Sequence, residues 1–161
     1  MFEKTGIPSR SLVLEQFPTL DALAKPKAII ECYKEIPCNP CSTVCPFDAI
    51  FIPEDINVRP KIDFDACTGC GLCAQICPGL AITIRQLKGP IAILNVPYEM
   101  YPMPQQGQTV NVIDRSGAFL CEGLVTRVTV SKRSENTAYV RVEIPEAFLI
   151  DAMTLEVPHG S

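Results

Sequence analysis

Eight cysteines fall between positions 32 and 77 of this 161-residue chain, and a ninth stands alone at 121. Their spacing is the first feature that could do chemistry. Cys67-Thr68-Gly69-Cys70-Gly71-Leu72-Cys73-Ala74-Gln75-Ile76-Cys77-Pro78 reads C-x2-C-x2-C-x3-C-P throughout, a run that binds an iron–sulfur cluster. Three thiolates two residues apart let one tight loop wrap a cube and reach three of its irons. Gly69 and Gly71 let the backbone come close and aim N–H groups at sulfur. The fourth cysteine follows a longer step, where the chain begins to turn helical, and points elsewhere.

An incomplete second copy precedes it. Cys38, Cys41 and Cys45 superpose on Cys70, Cys73 and Cys77 with one constant offset of 32 residues, and the offset carries through Pro46/Pro78 to Ile52/Ile84. Each half reads as cysteine loop, short helix and strand. A strand at 61–64 precedes the second loop, and one at 28–31 precedes the first. Two such halves imply pseudo-two-fold symmetry.

On these motifs residues 26–87 resemble a clostridial-type two-cluster ferredoxin. The resemblance implies two [4Fe–4S] clusters with a ligand crossover. Cys67, Cys70 and Cys73 would take Cys45 as fourth ligand; Cys38 and Cys41 would take Cys77. The first loop departs from the family, because Glu35 occupies the position three residues before Cys38 and the nearest thiol is Cys32. The loop then reads C-x5-C-x2-C-x3-C-P, with 33–37 bulging outward. Cys32 is the expected ligand, since thiolate suits such iron better than carboxylate. The alternatives are a [3Fe–4S] cluster lacking one ligand, or Glu35 ligating through oxygen.

Other cysteine chemistries fit less well. Zinc would not need eight cysteines in two matched copies with trailing prolines. A disulfide framework conflicts with the odd count and with the cytoplasmic setting expected of a chain without a secretory leader at its start. A radical-type C-x3-C-x2-C cluster would need a thiol where Asp48 and Leu80 stand. A Rieske centre needs two histidines, and the single one is His159. Cys121, inside Ala118-Phe119-Leu120-Cys121, reads as a small buried hydrophobe.

Lys and Arg total 14 against 18 Asp and Glu, a net charge of −4, with no basic patch for nucleic acid. Unbroken apolar stretches are too short for a membrane span. No acid/base pair, nucleophile–histidine arrangement or phosphate-cradling loop is present, so the chain is expected to move electrons without converting a substrate itself. The expected partners are a flavoprotein dehydrogenase or other redox protein subunits; the alternative is a freestanding ferredoxin.

The elements that must position the cysteines follow. The fold class expected is α+β: an irregular lead-in over 1–25 with one short helix near 19–24, a ferredoxin-like pseudo-two-fold two-cluster domain over 26–89, and a small antiparallel β unit over 90–161. Period-two alternation places strands at 109–114, 124–131 and 139–144, with turns at Arg115-Ser116-Gly117 and Ser134-Glu135-Asn136. Residues 146–157 add a short helix and strand. The proline-rich stretch over 96–104 reads as an apolar joining loop, and the β unit as a possible docking module. Pro37 and Pro40 lack the N–H that could serve sulfur, which by itself lowers the potential of the first cluster.

Overall fold

The computed structural model describes residues 2–130 and 137–158. In chain order the elements are α1 (Phe2–Thr5), α2 (Arg10–Leu14), a 3₁₀ turn (Ala22–Ala24), β1 (Lys27–Ile30), α3 (Pro40–Val44), β2 (Ile50–Phe51), β3 (Lys61–Ile62), α4 (Leu72–Ile76), β4 (Ile82–Lys88), β5 (Ile91–Tyr98), β6 (Thr109–Ile113), β7 (Phe119–Val130), β8 (Ala138–Pro145), a second 3₁₀ turn (Glu146–Phe148) and β9 (Thr154–Glu156). The lead-in is less irregular than expected. It carries two short helices, the second capped by Ser9, whose hydroxyl accepts from the Leu12 N–H at 3.3 Å.

Seven strands form one sheet in the order β1-β4-β5-β8-β7-β6-β9, and β2 pairs with β3. Every pairing is antiparallel. The sheet is continuous across residue 89, because β5 folds back on β4 through Gly89, which sits at φ +62°. Two apolar cores form, however. One gathers Ala28, Ile30, Ala49, Ile50, Ala74, Ile82 and Ile84 around the cysteine loops. The other takes the alternate residues Ala92, Leu94 and Val96 of β5 and Val140, Val142 and Ile144 of β8, with Leu23 closing it from the lead-in.

The joining loop expected over 96–104 is corrected: Val96, Pro97 and Tyr98 belong to β5 and are buried. Proline is expected only where a strand needs no N–H. Here β4 stops pairing at Asn95, so Pro97 pairs with β8 alone, opposite Tyr139. Met100 and Tyr101 remain well exposed beyond the strand. The turn at 115–117 forms as an Asp114-capped turn, with the Ser116 and Ala118 N–H groups donating to its carboxylate. The turn expected at 134–136 lies outside the described residues. Among the described residues no helix is long and apolar enough to cross a membrane.

A buried charge cluster fastens the cysteine-bearing part to the β unit. Glu31, one residue past β1, accepts two bonds from Arg115 of the β6–β7 turn, at 2.6 and 3.0 Å. Arg85 of β4, fully buried, lies 3.5 Å from the same carboxylate. Its remaining donors go to Thr83 Oγ1 at 3.0 Å and the Leu149 carbonyl at 2.5 Å, and the Phe17 ring lies 5.3 Å away. Burial alone would raise the Glu31 pKa; the Arg115 hydrogen bonds and the Arg85 and Arg115 charges hold it below the usual carboxylate value. Burial pushes Arg85 down to about 10, so it remains charged at neutral pH.

Removing the one anion would leave two guanidinium groups facing each other under cover. Glu31→Gln should therefore lower the unfolding free energy by ~3–5 kcal/mol at neutral pH, read by anaerobic urea unfolding. Because the folded-state pKa is lowered, the stability Glu31 supplies is present at neutral pH and fades as pH falls through that lowered value. The gap between native and variant should accordingly narrow in acid; a gap that is small at pH 7 would contradict this role for the carboxylate.

Candidate metal centres

Short helices set the cysteines. Pro40 opens α3 at its first turn, where its missing N–H costs nothing. Gly71 opens α4 at φ +85°. The two helices begin at 40 and 72, and each ends in a cysteine that leaves the helix extended, Cys45 at φ −67°, ψ 112° and Cys77 at φ −64°, ψ 117°. Residue-matched helices thus end in matched backbone conformations at Cys45 and Cys77.

The second loop is braced by β1. Buried Lys27 donates to the carbonyls of Phe64 and Cys67 at 2.6 and 2.7 Å. The Ala28 N–H points at Cys67 Sγ at 3.4 Å. Side chains at Gly69 and Gly71 are ruled out by close neighbours. A Cβ on Gly69 would run into Pro26, and one on Gly71 into the phenol of Tyr139 from β8. Burial first, then the nearby Cys73 thiol, raises the Tyr139 pKa. Lys27 and Tyr139 carried no sequence signal, since neither belongs to the cysteine motifs.

The eight thiols divide into two fours. One cavity, of about 300 Å³ counting the space open to solvent, is lined by Cys67, Cys70 and Cys73 together with Cys45. The other, of about 410 Å³ on the same basis, is lined by Cys38 and Cys41 together with Cys77 and Cys32. Glu35 lines a neighbouring cavity that it shares with Cys32, not the one containing Cys38, Cys41 and Cys77. Among the described residues no three His, Cys, Asp or Glu side chains close tightly enough on one point to hold a single ion. Four cysteines lining one cavity suit a group held by four thiolates. Cys121 is in neither set; it lies half-buried on β7, packed against the β core. His159 lies outside the described residues.

The electrostatics also suit a cationic guest. Burial, then the neighbouring Cys67 and Cys70, pushes the Cys73 thiol up to about 12. Burial pushes Cys41 up to about 11, against the Ser42 N–H bond and with Cys77, Cys38 and Cys32 adding to the rise. Crowded thiols resist ionising together, and bound iron reverses that preference.

Residues 36–81 match the family model of a 4Fe-4S dicluster domain. The match takes in seven of the eight loop cysteines and begins after Cys32. The chain is 44% identical over 55 residues to the ferredoxin-type protein NapF of Haemophilus influenzae, covering 33% of this chain and 31% of that one. It is 50% identical over 44 residues to one subunit of the Na(+)-translocating ferredoxin:NAD(+) oxidoreductase complex of Acetobacterium woodii, covering 27% of this chain and 13% of that one. Over 63 residues it is 42% identical to the pyruvate synthase subunit PorD of Methanocaldococcus jannaschii, covering 38% of this chain and 71% of that subunit. The chain thus spans less than a third of NapF and of the Acetobacterium woodii protein, but most of PorD. No solved structure matches.

The sorting of thiols makes a non-local prediction. Cys45→Ser should perturb the centre at Cys67, Cys70 and Cys73, and Cys77→Ser the centre at Cys38 and Cys41. Low-temperature EPR of the two reduced variants reads this directly. If each serine disturbs only the centre of its own run, the crossover is wrong.

Proposed function

The chain belongs to the 4Fe-4S dicluster ferredoxin family, and on that premise we propose that it relays single electrons between redox protein subunits through two [4Fe–4S] clusters. One observation carries the reading: eight cysteines from two sequence runs reassort into two cavities of four, each completed by a cysteine from the other run. Cys45, Cys67, Cys70 and Cys73 would hold one cluster, and Cys32, Cys38, Cys41 and Cys77 the other. Bound there, each cluster takes up and returns one electron at a time.

The chain's own residues supply the rest. Apolar side chains such as Ala28, Ile50 and Ile84 line the cavity holding Cys67 and keep water from it. The Ala28, Ser42 and Ala74 N–H groups offer hydrogen bonds to Cys67, Cys41 and Cys73, which stabilise the more negative reduced state. The two halves, related by the 32-residue offset, make a pseudo-two-fold unit over 26–89, and the β unit over 90–161 supports it as a second part. This division is supported by the two separate apolar cores.

Two one-electron sites in one chain suit a partner that releases electrons in pairs, and a reduced flavin in a dehydrogenase subunit is such a donor. The relatives named as subunits of larger redox assemblies support an assembled role. Thiolate-held iron suits the reducing cytoplasm.

Anaerobically purified protein should carry about eight irons and about eight acid-labile sulfides. About seven irons, with the EPR signal of an oxidised three-iron cluster, would overturn Cys32 as a ligand. Stoichiometric zinc without visible absorbance would overturn the function. Anaerobic capture of the tagged chain from its native host should bring down a flavin-containing subunit; recovery of the chain alone would favour a freestanding carrier.

A further inference from the structure

The ligand sets are matched, but their surroundings differ in charge. No charged side chain lines the cavity of Cys45, Cys67, Cys70 and Cys73. The cavity of Cys32, Cys38, Cys41 and Cys77 is lined by two cations, Lys34 and Arg59. Lys34 is exposed and screened by water, whereas Arg59 is half-buried. Arg59 also lines the adjoining open cavity, whose walls include Glu15, Glu35 and Lys61. Neither carboxylate pairs with it: among the described residues Arg59 forms no salt bridge. The cation thus stands in the wall that the four cysteines share, without a salt-bridge partner among the described residues.

Resting on the two-cluster reading, we propose that Arg59 is a positioning residue that sets the potential of the cluster at Cys32, Cys38, Cys41 and Cys77 above that of its neighbour. Reduction adds one negative charge to a cluster already held by four thiolates. A fixed positive charge in the wall favours that added charge, and in a half-buried wall the attraction is weakened less than at the surface.

The prolines pull the other way. Pro37 and Pro40 deny the first loop two N–H donors, while the second gains one from Ala28. A guanidinium carries a full charge where a backbone N–H carries only a partial one, and on that ground the cation sets the order. This cavity adjoins the open one through Cys32, Arg59 and Pro60, while Cys70 of the other set is exposed. Electrons entering at the cluster of Cys45, Cys67, Cys70 and Cys73 would then run downhill to that of Cys32, Cys38, Cys41 and Cys77.

The test is an EPR-monitored redox titration of the cluster-loaded full chain, with signals assigned through Cys45→Ser and Cys77→Ser. The native chain should show two midpoints, the higher one belonging to the signal that Cys77→Ser disturbs. Arg59→Gln should lower that midpoint and leave the other in place, and Arg59→Lys should restore it. With iron and sulfide intact, equal shifts in both midpoints, or none, would overturn the role of Arg59 while leaving the two-cluster reading standing. Iron short of two cubanes in the native chain would overturn both. If Arg59→Gln fails to hold iron, added salt on the native chain serves instead: screening should bring the two midpoints closer, and midpoints that keep their separation would overturn the proposal.

Discussion

Glu31 stands one residue before Cys32, and the polar groups gathered with it come from three distant places in the chain. Arg85 arrives on β4, Arg115 on the β6–β7 turn, and the Leu149 and Ile150 carbonyls from the segment after β8. A buried ion cluster need not stabilise a fold relative to an apolar one of the same volume. What it does impose is consistency. A carboxylate at 3% exposure tolerates no arrangement in which its two guanidinium partners are elsewhere. The β unit can therefore dock on the cysteine-bearing part in one way, and the backbone leading into Cys32 is fixed by residues 54 and 84 positions away.

That dependence changes what the β unit is for. As an independent appendage it would leave β4 with a free edge, yet β5 occupies that edge along 84–88. Tyr139, on the far side of the β unit in sequence, lies against Gly71 in the second cysteine loop. Gly71 adopts its positive φ without the strain a Cβ would bring, and that same absence lets the phenol approach. Support of the cluster walls and closure of the sheet are thus one task, shared between residues more than sixty positions apart.

The cysteine chemistry was legible because it is local. Spacing within a loop is a covalent constraint, and the 32-residue offset repeats in the helix starts at Pro40 and Leu72. Strands with clean alternation, such as Val110 and Val112 on β6 or Val140 and Val142 on β8, were legible for the same reason. β5 was not. Its burial runs unbroken from Leu94 to Tyr98, and Pro97 reads as a breaker until the end of β4 is known. Arg85 was hidden too, because an arginine in a strand looks solvated when its partners are Glu31 and a carbonyl from residue 149. Such pairings are set by tertiary packing, which a single sequence does not display.

The repeat invites a symmetrical picture that its surroundings deny. The second loop has glycines at 69 and 71, β1 braces it through Lys27, and Tyr139 packs against Gly71, while Cys70 stays exposed. The first has prolines at 37 and 40 and three extra residues between Cys32 and Cys38. That longer loop leaves Lys34, Glu35, Ile36 and Pro37 exposed, and its cavity borders a larger polar one. Duplication would give two equivalent sites; the insertion on one side and the β unit on the other make them unequal. Inequality is what a relay needs, because two sites of equal potential and equal access give an electron no preferred direction between them.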